Sequence, residues 1–311
     1  MKLIHTEIPK QTAENAEHVG EKGGTDLIIN VEGQEGTAKS SFAYTSPLPI
    51  VGFSLDMGHK RALYGKLFPT FFEGLKIAIH PYKKPKIEWK NGQATASVEH
   101  EPFEGNDITI YEMPTPLQLD SNKVEGFMAQ WAYMLTIYVK ALQDSKVNTA
   151  IIDTMTLAYK HKCEAYLEEL NMKGNGTRKQ LLQIEYGHPN EGIRTLYQFA
   201  TSTGKNLVAV HHLRDHYVSR PGRDGVIESV SDGTLETDGM RDTGRYVDIS
   251  LRMEKKDGKL ISKMNKCGPN LELEGQPIFN ASWDSLMELV EMGWYGEKFP
   301  RRKEVEIVPA K

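Results

Sequence analysis

The run DLIINVEGQEGTAKSS, residues 26–41, constrains the fold of this chain more than any other part of the sequence. Its first half is rich in branched apolar residues and predicts a buried β-strand. Gly33 and Gly36 interrupt that strand, and the stretch that begins at Ala38 predicts a short helix that ends before Pro47. A strand, a glycine-containing turn and a helix in this order are typical of an α/β protein.

The spacing from Gly33 to Ser40 matches the phosphate-binding pattern G-x4-G-K-[ST] at every fixed position except 38. In such a loop, backbone N–H groups at the start of the helix point at the phosphates. We predict that Lys39 reaches the β- and γ-phosphates and that the Ser40 hydroxyl ligates Mg²⁺. The predicted nucleotide-binding residues are Gly33, Gln34, Glu35, Gly36, Thr37, Ala38, Lys39, Ser40 and Ser41.

Ala38 occupies the position at which this pattern has glycine. We expect a helical backbone at position 38, and a helical backbone accepts a Cβ atom without strain. A methyl group near the phosphates would nonetheless weaken binding or slow turnover. The sequence therefore predicts nucleotide binding and leaves the rate of hydrolysis open.

Two further predicted strands end in aspartates, Asp56 and Asp153. In a parallel sheet these side chains lie at the same carboxyl-end edge as the phosphate loop. Asp153 is predicted to hold Mg²⁺ with Ser40, its alternative role being a helix N-cap. Asp56 is a candidate for polarising the attacking water, with Glu35 as a rival, and the alternative for Asp56 is a turn before Gly58.

Elsewhere, predicted strands alternate with predicted helices, which favours an α/β fold with a mostly parallel sheet flanked by helices. Predicted helices cover 123–144, 156–170, 190–205 and 282–293. Residues 26–300 are expected to form the main domain, with a small β-rich insertion at about 59–120 because that segment contains hairpin signals. We expect a mobile N-terminal arm at 1–25, a C-terminal tail at 301–311 and a long mobile loop at 214–245.

The composition indicates a globular protein in a reducing, intracellular setting. The formal charge of −4 provides no overall attraction for nucleic acid, so any such binding needs local basic loops. Cys163 and Cys267 lack metal-type spacing and form no disulfide framework. The apolar run at 131–139 is far too short for a membrane span, and the start of the chain lacks the apolar region of a secretory signal. We therefore expect a cytoplasmic protein with no membrane contact.

The ordered segments EGQEGTAKS, VGFSLDMG, AIIDT, YGHPNEGIRTLYQFA and NLVAVHHLRD resemble the short RecA/RadA-like ATPases of bacteriophages, a group associated with single-strand annealing. The resemblance covers residues 25–56 and 121–290. It implies a RecA-like P-loop NTPase core that uses ATP and Mg²⁺ in DNA recombination, annealing or replication, in the host cytoplasm for a phage protein. Ala38 departs from this pattern, and so does Asp56, where RecA-like recombinases have glutamate.

The resemblance also implies roles for residues outside the phosphate loop. His212 falls where the family has a γ-phosphate sensor, and Arg214 is the basic residue beyond it. Lys266, and less directly Lys263, would reach a neighbour's nucleotide site in a homo-oligomeric ring or filament. The segments 171–179 and 214–245 fall at DNA-contacting loops, for single-stranded DNA or a DNA-bound partner protein. The predicted DNA-binding residues are Lys173, Arg178, Lys179 and Arg214.

Other interpretations of these residues remain open. Lys263 and Lys266 suit edge-strand charges that oppose aggregation, and the basic loop suits a solvated surface. His212 and His216 have a spacing that suits zinc, but no nearby cysteine completes a ligand set. Two other functions fit the phosphate loop: a P-loop kinase for a small molecule, with 214–245 as its lid, or a nucleotide-gated interaction module without significant hydrolysis.

Overall fold

The structure is a computed structural model that describes residues 26–65, 67–90, 93–98, 103, 105–118, 124–174, 176–221, 226–292 and 299. The predicted arm at 1–25 and tail at 301–311 lie outside the described residues. None of the described helices combines the length and the apolar composition that a membrane crossing requires.

Strands and helices alternate along most of the described chain. The strands are β1 (Ile28–Gly33), β2 (Ile50–Ser54), β3 (Ile77–His80), β4 (Lys86–Lys90), β5 (Gln93–Ser97), β6 (Ile108–Glu112), β7 (Thr149–Asp153), β8 (Asn206–His211), β9 (Leu213–Pro221), β10 (Ile227–Thr237), β11 (Ile249–Lys256), β12 (Lys259–Cys267) and β13 (Pro277–Phe279). The helices are α1 (Lys39–Ala43), α2 (His59–Tyr64), α3 (Pro69–Phe72), α4 (Phe127–Gln143), α5 (Met155–Gly174), α6 (Gly187–Thr203) and α7 (Trp283–Glu291). Short 3₁₀ helices cover Gln183–Tyr186, Arg241–Arg245 and Leu271–Leu273.

A nine-stranded sheet with the order β13-β12-β11-β1-β8-β7-β2-β6-β3 forms the centre of the molecule. Every pairing from β11 to β3 is parallel, and β12 and β13 are added antiparallel at one edge. Parallel strands need crossover connections, and the helices between them provide these connections. The predicted α/β class, with a mostly parallel sheet, flanking helices and a small separate hairpin, is confirmed.

Helices cover both faces of this sheet. On one face, α4, α5 and α6 bury an apolar layer that includes Trp131 and Tyr197. On the other face, α1, α2 and α7 bury a second layer that includes Phe42 and Trp283. Burial on both faces explains why β1, β7 and β8 are continuous branched or apolar runs rather than alternating ones.

The segment 59–120, predicted as an insertion, contributes two strands to the main sheet. β6 is buried between β2 and β3, and only the antiparallel β4–β5 pair forms a sheet of its own. Proline and glycine between these strands resembled hairpin signals, but the partners of β6 are distant in sequence. The insertion is therefore smaller than predicted.

The prediction of a mobile loop at 214–245 is wrong. Most of this segment is the antiparallel β9–β10 hairpin, which is followed by the 3₁₀ helix Arg241–Arg245. Both faces of the hairpin are largely exposed, so its sequence needs no alternation of apolar and polar residues. Its glycine, serine and charged residues therefore suggested a loop.

We predict that Trp283→Ala lowers the free energy of unfolding by about 3–5 kcal/mol, because the indole is fully buried and its removal leaves a cavity. Urea denaturation measures this change. Met292→Ala is the control, since Met292 follows the same helix and is 80% exposed, and we expect a change within about 0.5 kcal/mol. A loss below about 1 kcal/mol for Trp283→Ala would contradict the described packing of α7.

Candidate functional site

The carboxyl ends of four adjacent strands meet at one edge of the sheet. Glu32 of β1 pairs with His211 of β8, and Ser54 of β2 pairs with Asp153 of β7. The phosphate loop leaves β1 at this edge and enters α1 at Lys39. The loop and the strand-end side chains therefore face a common space.

Gly33 marks the end of β1, and its place in the sheet excludes any side chain. A Cβ atom on Gly33 would lie 2.4 Å from the Met253 carbonyl oxygen and 2.7 Å from Thr37 Oγ1. Gly36 has a φ of +74°, in the left-handed region that glycine enters at no steric cost. The backbone therefore requires glycine at position 33, and glycine at position 36 adopts its conformation without strain.

Ala38 is also left-handed, with φ 67° and ψ 22°. The expectation of a helical backbone at this position is wrong, because Ala38 is the N-cap residue that precedes the first turn of α1. A Cβ atom in this conformation costs about 1–2 kcal/mol. The loop therefore stores strain at the one position where it departs from the phosphate-binding pattern.

Lys39 is almost fully buried inside the loop. Its Nζ donates to the Gln34 carbonyl oxygen at 2.6 Å, and Thr37 Oγ1 donates to the same oxygen at 2.8 Å. Burial lowers the pKa of Lys39, while the negative charges of Asp153, Asp56 and Glu35 oppose this shift. A phosphate oxygen that reaches Lys39 therefore competes with the Gln34 carbonyl.

A cavity of about 660 Å³ lies in front of the loop. It brings together ten of the predicted site residues: Glu35, Gly36, Thr37, Ala38, Lys39, Ser40, Ser41, Asp56, Asp153 and His212. The remaining lining residues are Gly58, Arg61, Ala62, Leu67, Thr154 and Leu260. Glu35 and Leu260, which are 225 positions apart in the chain, thus line one space.

Asp153 is fully buried, and neither carboxylate oxygen has a hydrogen-bond partner among the described residues. Burial raises its pKa to about 7 and the charge of Asp56 adds to this rise, whereas the nearby Ser40 hydroxyl and Lys39 oppose it. The helix N-cap role belongs instead to Thr154, whose Oγ1 accepts from the Leu157 N–H at 3.2 Å. Unpartnered carboxylate oxygens beside a hydroxyl fit the oxygen ligands that Mg²⁺ requires.

Asp56 forms the predicted turn and also lines the cavity, and its role in polarising water stays a prediction. Its Oδ1 accepts from the Gly58 N–H at 2.8 Å, which is the turn interaction, and its side chain also lines the cavity. The turn fixes the direction of the carboxylate. Asp56 is thus held at the cavity, whereas Glu35 is an exposed residue of the loop.

The helix after this turn is fixed by two residues that the sequence analysis missed. His59 is fully buried, with Nδ1 2.9 Å from Ser54 Oγ and Nε2 3.3 Å from Glu112 Oε1. Burial lowers the pKa of His59, and the charge of Glu112 opposes the shift. Glu112 ends β6 at the cavity edge of the sheet. A strand-end carboxylate suggests a site residue, but the sequence analysis assigned β6 to an insertion and so did not consider Glu112.

A buried ionic cluster around Glu32 was also missed. Glu32 Oε1 accepts from Arg252 Nε at 2.7 Å and from Asn265 Nδ2 at 2.8 Å, and Oε2 accepts from Thr237 Oγ1. These donors come from β11, β12 and β10. The cluster thus joins the residue before the loop to three strands from the C-terminal part of the chain.

His212 faces the cavity and is half-buried. Its backbone N–H donates to Thr156 Oγ1 at 3.0 Å, and burial, reinforced by Lys39, lowers the pKa of its imidazole. His216 lies on the hairpin and pairs with Asp232 at 2.8 Å. Within the described ranges, no group of three or more His, Cys, Asp or Glu residues could hold a metal, so the zinc interpretation gains no support.

Lys266 lies at the opposite end of the sheet from the loop, as its pairing with Ser250 shows. Its Nζ donates to the carbonyl oxygens of Gly244 at 3.0 Å and Val247 at 2.6 Å. Lys263 is exposed on β12, opposite Pro277. Neither lysine reaches the cavity of its own chain, and a contact with a neighbouring subunit stays a prediction.

Three of the four predicted DNA-binding residues pair with carboxylates of their own chain. Lys173 contacts Glu169, Arg178 donates to both oxygens of Glu185 at 2.9 and 2.5 Å, and Arg214 lies 2.9 Å from Glu236. Lys179 is exposed. Contact of these four residues with DNA stays a prediction.

Neither a protein-family model nor a curated protein matches this chain. Among solved structures, it is similar to a KaiC-like protein from the hyperthermophilic archaeon Pyrococcus horikoshii, with 13% sequence identity and a TM-score of 0.37. The match covers 81% of this chain and 83% of that chain.

We predict that Ala38→Gly raises the free energy of unfolding by about 1 kcal/mol, because it removes the left-handed strain. Thermal and urea unfolding measure the change. Ala43→Gly is the matched control, since Ala43 is helical and buried, and we expect it to lose at least about 0.5–1 kcal/mol. Destabilisation by both glycines would contradict the backbone described at position 38.

A second prediction concerns acid stability. His211 is fully buried, with Nε2 3.3 Å from the Tyr197 hydroxyl, and burial lowers its pKa to about 4. The unfolded chain therefore binds a proton more readily, and stability is lost as pH falls from about 6.5 towards 4. We expect His211 to account for about 3 kcal/mol of this loss. Unfolding free energies measured across this range should fall less steeply for His211→Gln, and parallel curves would contradict the prediction.

Proposed function

We propose that this chain is a RecA-like P-loop ATPase that binds ATP with Mg²⁺ and hydrolyses it. The observation that carries the proposal is the cavity in which Lys39, Ser40 and the unpartnered carboxylate of Asp153 face one another. Loop N–H groups, one lysine, one hydroxyl and one buried carboxylate are the groups that a Mg²⁺-bound triphosphate requires. The architecture supports the same assignment, since the loop follows the carboxyl end of a parallel strand, and β7, which ends in Asp153, lies on the far side of β8.

The mechanism follows from the placement of these residues. Lys39 leaves the Gln34 carbonyl and binds the β- and γ-phosphates, where it offsets the charge that develops during phosphoryl transfer. Ser40 and Asp153 would hold Mg²⁺, which supplies further charge neutralisation when bound. Asp56, held by its turn, orients the attacking water, and Glu35 is the alternative for this role.

The resemblance to phage recombination ATPases leads to a finer proposal, that DNA modulates hydrolysis. His212 lines the cavity, and the β9 strand that carries Arg214 begins at the next residue. A change at the γ-phosphate therefore has a short covalent path to the hairpin. Binding of single-stranded DNA would displace the carboxylates that now pair with Arg178 and Arg214.

The strained Ala38 favours a second candidate, a nucleotide-gated interaction module that binds ATP and hydrolyses it negligibly. A Cβ at this position lies in the wall of the cavity that would hold the phosphates. In this case, ATP binding would move the loop, and a partner would recognise the exposed hairpin.

We predict that Lys39→Ala weakens ATP binding by about ten- to a hundredfold, the loss of about 1.5–3 kcal/mol from a charge-assisted contact. Phosphate release should fall to background. Lys140→Ala, which removes the same charge from the last turn of α4, should change neither ATP affinity nor phosphate release. Calorimetry and phosphate-release assays make these measurements, and unchanged affinity in Lys39→Ala would refute the proposed site.

The same assay with and without single-stranded DNA separates the finer possibilities. Stimulated release supports a role in recombination, annealing or replication. If DNA leaves the rate of phosphate release unchanged, the proposed ATPase activity is supported and the proposed role of DNA is refuted. Tight, Lys39-dependent binding without turnover identifies the gated module.

A further inference from the structure

Arg61 is a cation of the cavity that no motif predicts. It lies on α2, one turn beyond Gly58, and it lines the same cavity as the phosphate loop. Among the described residues, no carboxylate forms an ion pair with Arg61, and the residue is exposed. The guanidinium therefore remains available to an anionic ligand.

The direction of Arg61 follows from how α2 is anchored. His59, the first residue of the helix, is held between Ser54 and Glu112. Lys60, the next residue, also reaches Glu112, with Nζ 3.5 Å from the same Oε1 atom. One helix thus directs neighbouring cations to different places, Lys60 to Glu112 and Arg61 to the cavity.

The charge of Arg61 acts on Asp153, the residue predicted to hold Mg²⁺. Its guanidinium is close enough to Asp153 to lower the pKa of that carboxyl, together with Lys39. Lys39 and Arg61 therefore lie near the same carboxylate. The cavity also contains Glu35 and Asp56, so these two cations face three carboxylates before any phosphate enters.

We propose that Arg61 binds the terminal phosphate of the nucleotide from within the same chain. The proposal rests on the proposed function and deepens it. An arginine fork donates two parallel hydrogen bonds to phosphate oxygens, a geometry that lysine lacks. It supplies in cis the second cation that the family resemblance would place on a neighbour's Lys266, which here donates to the Gly244 and Val247 carbonyls.

The first experiment compares ATP with ADP, which lacks the terminal phosphate. We expect Arg61→Ala to weaken ATP binding about tenfold and leave ADP binding unchanged, since one charge-assisted contact is lost. Arg61→Lys should recover part of the affinity, because it keeps the charge and loses the fork. Lys60→Ala, the matched control, removes an equal charge from the same helix and should change the affinity for neither ATP nor ADP. Equal weakening of ATP and ADP, or no weakening, would overturn the inference.

The second experiment decides whether Arg61 acts in cis. Arg61→Ala and Lys39→Ala are mixed in equal amounts, and phosphate release is compared with that of each variant alone. A cis contact predicts no recovery, because no chain contains both an intact loop and an intact Arg61. Recovery in the mixture would show that Arg61 serves a neighbouring chain and would overturn the proposal.

Failure of this inference is distinguishable from failure of the proposed function. If Lys39→Ala and the unaltered protein bind ATP equally, the nucleotide site itself is refuted and the role of Arg61 falls with it. If ATP binding depends on Lys39 and not on Arg61, only the Arg61 proposal is overturned. Thermal unfolding of Arg61→Ala checks that the variant is folded, as expected for an exposed residue.

Discussion

The close approach of β1 and β11 at Gly33 is the constraint on which the site depends. A side chain at this position would meet the Met253 carbonyl at 2.4 Å, so the two parallel strands can stay paired up to the turn only with glycine. After Gly33 the chain turns through residues 34–38 and begins α1 at Lys39. Because the other parallel strands end at the same edge, this turn brings Asp56, Asp153 and His212 to the phosphate loop.

Local patterns were sufficient to predict much of this site. The phosphate loop and the strand-end positions of Asp56 and Asp153 follow from motif spacing and from runs of branched residues, both of which are short-range signals. The position of β6 depends on β2 and β3, its partners in the sheet, and sequence pattern alone does not reveal such pairing. The hairpin was missed for another reason, since a ribbon exposed on both faces has no apolar periodicity.

The errors within the site concern backbone conformation and neighbouring charge. Ala38 lies one residue before the helix, and only the structure places that residue in the left-handed region. Arg61 belongs to a helix of six residues, too short for a periodic signal, and its direction depends on contacts of His59 with two strands. Both features would affect phosphate binding in the proposed function, and neither follows from residue types at fixed spacing.

The cluster around Glu32 has a consequence for the order in which the chain folds. Its arginine and asparagine partners are 220 and 233 residues later in sequence. On the ribosome, β1 therefore emerges long before the strands that neutralise its buried carboxylate, and proteins are made at about 5–20 residues per second. The phosphate loop is therefore synthesised well before β11 and β12, the strands that complete the cluster beside it.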